Sequence, residues 1–202
     1  MTTIDRYLAL AAAALMLSGV PARAADQTIL GKLLVVKDPA PDASPDPTRR
    51  KIKVIGKEYT TPNTIVGDPS VDGATLRVVA NGMTNYDQTF PLPAAGWVGI
   101  PGQLFKYSDA GAFGPVRKVV VYNRNGKFII KAIVLGFLGL ITIEAPNPGT
   151  DGAAVLAIGG AGDSYCMMFG GGAGGTVTNF PSGNPFKLFL VRNATAETGC
   201  PP

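Results

Sequence analysis

Residues 116–135 read VRKVVVYNRNGKFIIKAIVL, and this stretch decides the fold class. Asn125-Gly126 tolerates the two positive φ angles of a type I′ turn, so it predicts a β-hairpin with a two-residue loop. Such a loop places Val121 opposite Ile130. The apolar residues that then share one face are Val119, Val121, Phe128, Ile130, Ala132 and Val134, while Lys118 and Lys131 fall on the other face. Because the register and the burial pattern agree, we expect this hairpin to form with its apolar face in the core.

Short runs of β-favouring residues continue on both sides of the hairpin, separated by turn residues and with hardly any helical period. The predicted strands are 28–36, 50–55, 74–80, 103–107, 116–122, 127–135, 140–144, 153–158, 165–169 and 186–191. This pattern predicts an all-β fold, either an antiparallel β-sandwich or a jelly-roll-like arrangement. We expect residues 25–202 to form one such domain, because the sequence shows no internal repeat and no domain boundary.

The first 24 residues are typical of a cleavable secretion signal. Arg6 supplies a positive charge, residues 8–17 are apolar, and Ala22-Arg23-Ala24 offers a small-x-small cleavage site. We therefore expect residues 1–24 to be a signal peptide cleaved near Ala24, and the mature protein to be secreted or periplasmic. The longest later apolar stretch, 132–143, is shorter than the about 20 residues that a membrane helix needs, so no transmembrane segment is expected in the mature chain.

Cys166 and Cys200 are the two cysteines of the chain. An even pair in an oxidising compartment most simply forms a disulfide. A pair of free thiols or a two-ligand metal site is the alternative. A disulfide would tie the C-terminal tail back onto the body of the domain.

The chain contains no histidine, and this excludes several classes of enzyme. Ser-His-Asp triads, Cys-His pairs and imidazole zinc sites all require that residue. Gly162-Asp163-Ser164 is therefore not expected to be a hydrolase nucleophile. The glycine-rich runs 159–162 and 170–175 are not followed by the Lys-Ser/Thr that a phosphate-binding loop requires. We expect no catalytic residue and no cofactor.

Four basic residues near the start of the mature chain share one parity, namely Arg49, Lys51, Lys53 and Lys57. Along a strand these side chains would point to one face, while Ile52 and Val54 point inward. Such a basic patch suits an anionic polysaccharide or lipid headgroups, and nucleic acid is not an expected partner of a secreted protein. A solvated sheet face or a charged edge strand that resists aggregation is the alternative.

Two further groups are candidate binding residues. The aromatic residues Tyr86, Trp97, Phe105 and Tyr107 lie in a Gly/Pro-rich region. Aromatic rings on a rigid β-surface often grip sugar rings, although the same residues also plug the ends of a sandwich core. The acidic residues Asp38, Asp42 and Asp46 are regularly spaced on one proline-rich loop. They are candidate calcium ligands, with the capping of turns as the alternative.

The C-terminal half resembles uncharacterised secreted bacterial β-domains. The motif that carries the resemblance is Cys-x-x-Phe-Gly-Gly, present as Cys166-Met167-Met168-Phe169-Gly170-Gly171, together with a Cys200-Pro201 ending. Gly114-Pro115-Val116 before the hairpin fits the same pattern. The resemblance implies an extracellular setting and a disulfide between Cys166 and Cys200. It implies no activity.

We therefore expect a non-catalytic secreted module for surface structure or adhesion, with a polysaccharide or another surface protein as its partner. One alternative is a self-assembling cell-surface or fibre subunit, with the apolar segment 132–143 as its candidate edge. The other is a small carboxylate-dependent hydrolase such as a glycoside hydrolase, which needs two carboxyl groups in one cleft. The glutamates that could serve it are Glu58, Glu144 and Glu197, and no spacing in the sequence joins two of them.

Overall fold

The computed structural model describes residues 25–39, 46–180 and 187–201, which form two β-sheets around one apolar core. The strands are β1 (Asp26–Thr28), β2 (Gly31–Asp38), β3 (Lys51–Tyr59), β4 (Ala74–Gly82), β5 (Tyr86–Leu92), β6 (Trp97–Ile100), β7 (Leu104–Ser108), β8 (Val116–Arg124), β9 (Lys127–Leu135), β10 (Gly149–Ile158), β11 (Ser164–Gly170), β12 (Thr176–Asn179) and β13 (Lys187–Arg192). A one-turn helix, α1 (Pro69–Asp72), and short 3-10 turns at Pro47–Arg49, Ala94–Gly96, Gly136–Leu138 and Gly171–Ala173 lie between them. The predicted signal peptide, residues 1–24, lies outside the described residues.

The two sheets differ in size. The smaller sheet has the order β1-β11-β10-β4-β5, and the larger has the order β12-β13-β2-β3-β9-β8-β7-β6. Neighbouring strands are antiparallel except for β1 and β11, which are parallel. The predicted all-β fold, an antiparallel β-sandwich, is confirmed. Within the described residues, no helix has the length and apolar character needed to cross a membrane.

The hairpin around Asn125-Gly126 is formed as predicted. Val121 pairs with Ile130 across β8 and β9, and the two turn residues have φ angles of 54° and 68°. The predicted core face is buried in full: Val119, Val121, Phe128, Ile130, Ala132 and Val134 are each at most 1% exposed. Local sequence was sufficient here because the turn fixes the register and the register fixes which side chains face inward.

The predicted strand 28–36 is in fact two strands in different sheets. β1 pairs with β11 in the smaller sheet, whereas β2 pairs with β13 and β3 in the larger sheet. The chain crosses between the sheets at Ile29 and Leu30, and Ile29 is buried in the core. The predicted strand overlaps β1 only at Thr28, and because the crossover and most of β2 form one apolar run, the sequence carries no break that marks the change of sheet. Strands β5, β6 and β12 were not predicted at all.

The predicted strand 140–144 does not form. Ile141 and Ile143 alternate with exposed residues and are buried as in a strand, but the segment has no ladder partner. Side chains bond its backbone instead. The amide of Gln88 donates to Leu140 O (3.2 Å) and accepts from Thr142 N (2.7 Å), and Arg50 Nη1 donates to Ile141 O (2.8 Å). Within 132–143, residues 132–135 belong to β9 and are not a free edge, because β9 lies between β3 and β8.

Cys166 and Cys200 form the predicted disulfide, with 5.2 Å between their Cα atoms. Cys166 lies on β11, so the bond fixes the C-terminal tail against the smaller sheet. Backbone bonds add to this attachment, since Ala194 N donates to Gly31 O and Thr195 N donates to Ala173 O. The disulfide therefore holds the residues just before Cys200 at a defined place on the body of the domain.

Candidate ligand-binding face

The outward side of the larger sheet carries eight of the ten lysines of the chain. Successive residues of a strand point to opposite sides, and Ile52 and Val54 of β3 are fully buried. Lys53 and its same-parity neighbours on β3 therefore point away from the core. The same alternation on β2, β7, β8 and β9 completes a surface that we call the lysine face, with Lys37, Lys51, Lys53, Lys57, Lys106, Lys118, Lys127 and Lys131.

Aliphatic residues separate the lysines across the strands. Ile133 of β9 lies between Lys53 of β3 and Lys118 of β8. In the next row Val120 of β8 lies between Lys131 and Lys106. These aliphatic side chains are half-buried, because long lysine stems lie along apolar surface while their ammonium groups stay in water. The result is a surface on which charge and apolar area alternate.

The strands of the lysine face contribute no carboxylate to it. The acidic residues on β2, β3, β7, β8 and β9, all fully described, are Asp38 and Glu58, and both are buried. The ion pairs that Arg50 and Arg77 make with Asp38, Glu144 and Asp87 involve no lysine of this face. At the about 7–8 Å spacing of diagonal neighbours, two such charges repel by about 0.5 kcal/mol in water. A bound anion would relieve that repulsion.

Tyr59, at the end of β3, lies close to several of these positive charges. Lys57 Nζ lies 4.5 Å from the centre of its ring, and Lys127 Nζ lies 5.8 Å from it. The hydrogen bond from Lys57 lowers the pKa of the Tyr59 hydroxyl, and the charges of Lys57, Lys127 and Lys32 lower it further. Three cations therefore converge on this corner of the lysine face.

A groove of about 620 Å³ runs over the same face. Its lining is Leu104, Lys106, Lys118, Val120, Tyr122, Lys127, Ile129, Lys131 and Ile133, all from β7, β8 and β9. This volume is in the range of small-molecule sites, which are mainly apolar with a few polar groups. The groove can therefore offer a ligand both aliphatic contact and ammonium groups.

The predicted basic patch lies partly on this face. Lys51, Lys53 and Lys57 are on it, but Arg49 belongs to the 3-10 turn before β3 and not to the strand. Lys106, Lys118, Lys127 and Lys131 were not among the predicted patch residues. The hairpin register already placed Lys118 and Lys131 on one side, and the missing information was that β9 pairs with β3.

Three of the four predicted ligand-binding aromatics are core residues. Trp97, Phe105 and Tyr107 are at most 4% exposed, so no ring face is left for a sugar. Trp97 and Tyr107 meet edge to face at 5.4 Å, and burial raises the pKa of Tyr107 to about 12. Tyr86 is half-buried and donates to Glu144 Oε2 (3.2 Å). The cluster in sequence reflects core packing at the β6–β7 end of the larger sheet.

The candidate calcium ligands are not brought together. Asp38 is buried against Arg50, whose Nε lies 2.9 Å from Asp38 Oδ2. Asp46 caps the following 3-10 turn by accepting from Thr48 N (3.0 Å), and Asp42 lies outside the described residues. The grouping of metal-ligand side chains found in the described part combines Asp26 with the two cysteines, whose sulfurs are joined in the disulfide.

Two glutamates meet in a cleft that the sequence did not predict. Glu58 at the end of β3 is buried and accepts from Leu30 N and from Asn63 Nδ2, each at 2.8 Å. Glu197 of the tail hydrogen-bonds to Glu58 and accepts from Thr28 Oγ1 (2.9 Å). Burial raises the pKa of Glu197, and its bond to Glu58 raises it further.

The hydrogen bond sets the separation of the Glu58 and Glu197 carboxyl groups. Carboxyl groups in direct hydrogen-bond contact are closer than the about 5–10 Å that glycoside hydrolysis requires. The remaining glutamate, Glu144, is engaged by Arg50 Nη2 at 2.5 Å. The spacing of this pair therefore does not match that of a glycosidase, and the contact joins the tail to the end of β3.

The chain matches no protein-family model, and no significant match was found among curated proteins or solved structures.

Proposed function

We propose that this chain is a non-catalytic binding module of the extracytoplasmic space that holds an anionic ligand on the lysine face. One observation carries the proposal. Eight lysines share one sheet surface to which the five strands that form it contribute no carboxylate. A surface of one charge sign concentrates counter-ions and steers charged partners towards it. Phosphate and carboxylate groups are the chemistry that such a surface selects.

The location rests on two features. The disulfide between Cys166 and Cys200 is a bond that persists in oxidising compartments. The first 24 residues have the sequence pattern of a secretion signal. Both support a protein that acts at or beyond the cell surface, where acidic polysaccharides and acidic lipids are the abundant polyanions.

The other functions have less support. Recognition of neutral sugars was predicted from an aromatic group of which Trp97, Phe105 and Tyr107 are buried. Fibre assembly through 132–143 would require a free strand edge, but residues 132–135 lie in β9, which has neighbours on both sides, and 140–144 is not a strand. Glycoside hydrolysis would require a wider carboxyl pair than Glu58 and Glu197 offer.

The test compares ligands that differ in charge alone. Binding of the disulfide-bonded protein is measured against polygalacturonate and its methyl-esterified form, and against vesicles of phosphatidylglycerol and of phosphatidylcholine. We expect the acidic member of at least one pair to bind, and to bind more weakly as salt is added. Equal binding of both members in each pair, or no binding at all, would overturn the proposal.

Variants then locate the site. Surface ion pairs contribute about 0.5 kcal/mol each, so Lys53→Gln with Lys118→Gln and Lys131→Gln should weaken the acidic ligand about tenfold. Arg77→Gln is the control, because Arg77 is a cation on the smaller sheet. If the control weakens binding as much per charge as the lysine variant, the lysine face is not the site.

A further inference from the structure

The larger sheet carries an apolar row that ends in a cluster of lysines. Strand pairing aligns Ile100 of β6, Leu104 of β7, Tyr122 of β8 and Ile129 of β9, and the next residue across, on β3, is Lys57. All five side chains point away from the core, because the alternate residues of their strands are turned inward. The apolar part spans three strand spacings, or about 14 Å.

The end of this row at Ile100, on the edge strand β6, is its most exposed apolar part. Ile100 is 55% exposed and its neighbour Val98 is 68% exposed on the edge strand β6. Exposed aliphatic side chains in contact with one another mark binding surfaces more often than isolated ones do. A ligand with only charged and polar groups would make no favourable apolar contact with Ile100 and Val98.

The other end of the row, at Lys57 on β3, is surrounded by further lysines. Lys57 pairs with Ile129, so Lys127 and Lys131 are its diagonal neighbours on β9. Diagonal neighbours lie about 7–8 Å apart, so Lys57 and Lys127 can hold one phosphate or carboxylate between them, whereas Lys131 is about 13 Å from Lys127 along β9. Tyr59 lies under Lys57 and Lys127 and adds a hydroxyl at the same corner.

We infer that the ligand of the lysine face is an anionic amphiphile, with its acyl chain along Ile100, Leu104, Tyr122 and Ile129. Its charged head then lies between Lys57 and Lys127, beside Tyr59. The inference rests on the proposed function, because it names the ligand class of the same face. Charge complementarity fixes the head at the lysine end, and the exposed aliphatic residues fix the direction of the tail. The middle of the row, Leu104, Tyr122 and Ile129, lines the groove of about 620 Å³ together with Lys127.

The test separates head from tail. The disulfide-bonded protein is titrated with decyl phosphate, with decyl maltoside and with glycerol phosphate, each below its micelle concentration. The second probe keeps the tail without the charge, and the third keeps the phosphate without the tail. We expect decyl phosphate to bind at least about tenfold more tightly than either, because only it uses both ends of the row. Equal binding of decyl phosphate and one of the partial probes would overturn the inference.

Two sets of variants test which end of the row binds the acyl chain and which binds the charged head. Ile100→Ser with Leu104→Ser should weaken decyl phosphate about fivefold and leave salt-dependent binding of acidic polysaccharide unchanged. Val71→Ser with Met83→Ser is the matched control, since these apolar residues are 72% and 78% exposed outside the lysine face. Lys57→Gln with Lys127→Gln should weaken decyl phosphate and leave decyl maltoside unchanged. An unchanged affinity for decyl phosphate in either face variant would contradict the inference.

The outcomes for the two proposals are distinguishable. Charge-selective binding of polygalacturonate without preference for decyl phosphate would retain the proposed function and overturn the amphiphile. Loss of charge selectivity in every pair of ligands would overturn both. Dimerisation that Ile100→Ser with Leu104→Ser abolishes would show that a second copy covers the row, and would also overturn the amphiphile.

Discussion

The carboxyl group of Glu197, in the C-terminal tail, hydrogen-bonds to that of Glu58, at the end of β3 in the larger sheet. The contact joins the tail to a buried acid whose own oxygens accept from Leu30 N and Asn63 Nδ2. Two carboxyl groups in contact favour a state in which they share a proton, because two adjacent negative charges repel. The attachment of the tail therefore depends on pH.

The sign of that dependence follows from the direction of the shift. The pKa of Glu197 is raised from 4.5 in the folded protein, so the folded state binds its proton more tightly than the unfolded state. The stabilisation is complete below 4.5 and is lost as the pH rises through the raised pKa. We expect Glu197→Gln to remove this part of the pH dependence of the melting temperature. The same slope in parent and variant would show that Glu197 does not contribute.

Glu197→Ala separates the hydrogen bond from the charge. The amide of Gln can still donate to Glu58, whereas Ala leaves no partner there. The Ala variant should therefore be less stable than the Gln variant at neutral pH as well as in acid, as thermal unfolding would show. Equal melting temperatures for the two variants at all pH values would rule out the hydrogen bond as the source of the stabilisation.

Removal of the disulfide tests how the tail is held. The bond closes a loop with a sequence separation of 34, for which chain entropy gives about 3–4 kcal/mol. Cys166→Ser with Cys200→Ser should lower the free energy of unfolding in urea by that amount. It should also abolish the pH effect assigned to Glu197, because the tail no longer holds this side chain over Glu58. A persisting pH effect in the double variant would mean that backbone bonds alone place the tail.

Arg50 is the buried cation on which Asp38, Glu144 and the backbone of residue 141 converge. Removing the cation of a buried ion-pair cluster destabilises by about 3–5 kcal/mol, because the buried carboxylates lose a charged donor. Arg50→Met should therefore destabilise the protein by several kcal/mol in urea unfolding. Arg77→Met is the control, since its pair with Asp87 is part-exposed and contributes less than about 1 kcal/mol. Similar losses in the two variants would contradict this ranking.

Gly31 of β2 lies where the larger sheet approaches β11 of the smaller sheet closely. A Cβ atom there would lie 2.4 Å from the backbone oxygen of Met168 and 2.7 Å from the ring of Phe169. Gly31→Ala should lower the free energy of unfolding by about 1–3 kcal/mol, because the strands would have to separate. Gly172→Ala meets nothing within 4 Å and should be nearly neutral. Calorimetry of both variants would show whether the contact is as tight as this geometry indicates.

The parts of the fold that follow from adjacent residues were predictable, and the parts that follow from distant pairing were not. The β8–β9 hairpin needs one turn and one alternation, and both are local. β5 and β6 carry Pro91 and Gly99, which are disfavoured in strands and tolerated here near or on edges of the sheets. Segment 140–144 has a strand pattern, but Gln88 and Arg50 take the place of a ladder partner.

The lysine face was likewise predictable in part from local sequence, and in part only from the order of the strands. The lysines of β3 could be assigned to one side from their parity, because Ile52 and Val54 between them are apolar. Joining them to Lys106 and Lys118 required the order β3-β9-β8-β7, which the sequence does not encode in any short segment. Glu58 and Glu197 lie still further apart in the chain, and their contact depends on the path of the tail.

The bonds of Gln88 and Arg50 to residues 140–142 have a consequence for crowded conditions. A sandwich is most open to strand exchange along its flanks, where backbone donors and acceptors face outward. Beside β5 that flank is occupied by a segment whose carbonyls at Leu140 and Ile141 and amide at Thr142 are already bonded within the molecule. A neighbouring molecule would have to displace these side chains before its own strand could join. Gln88 and Arg50 thus hold this segment beside β5, although it does not pair as a strand.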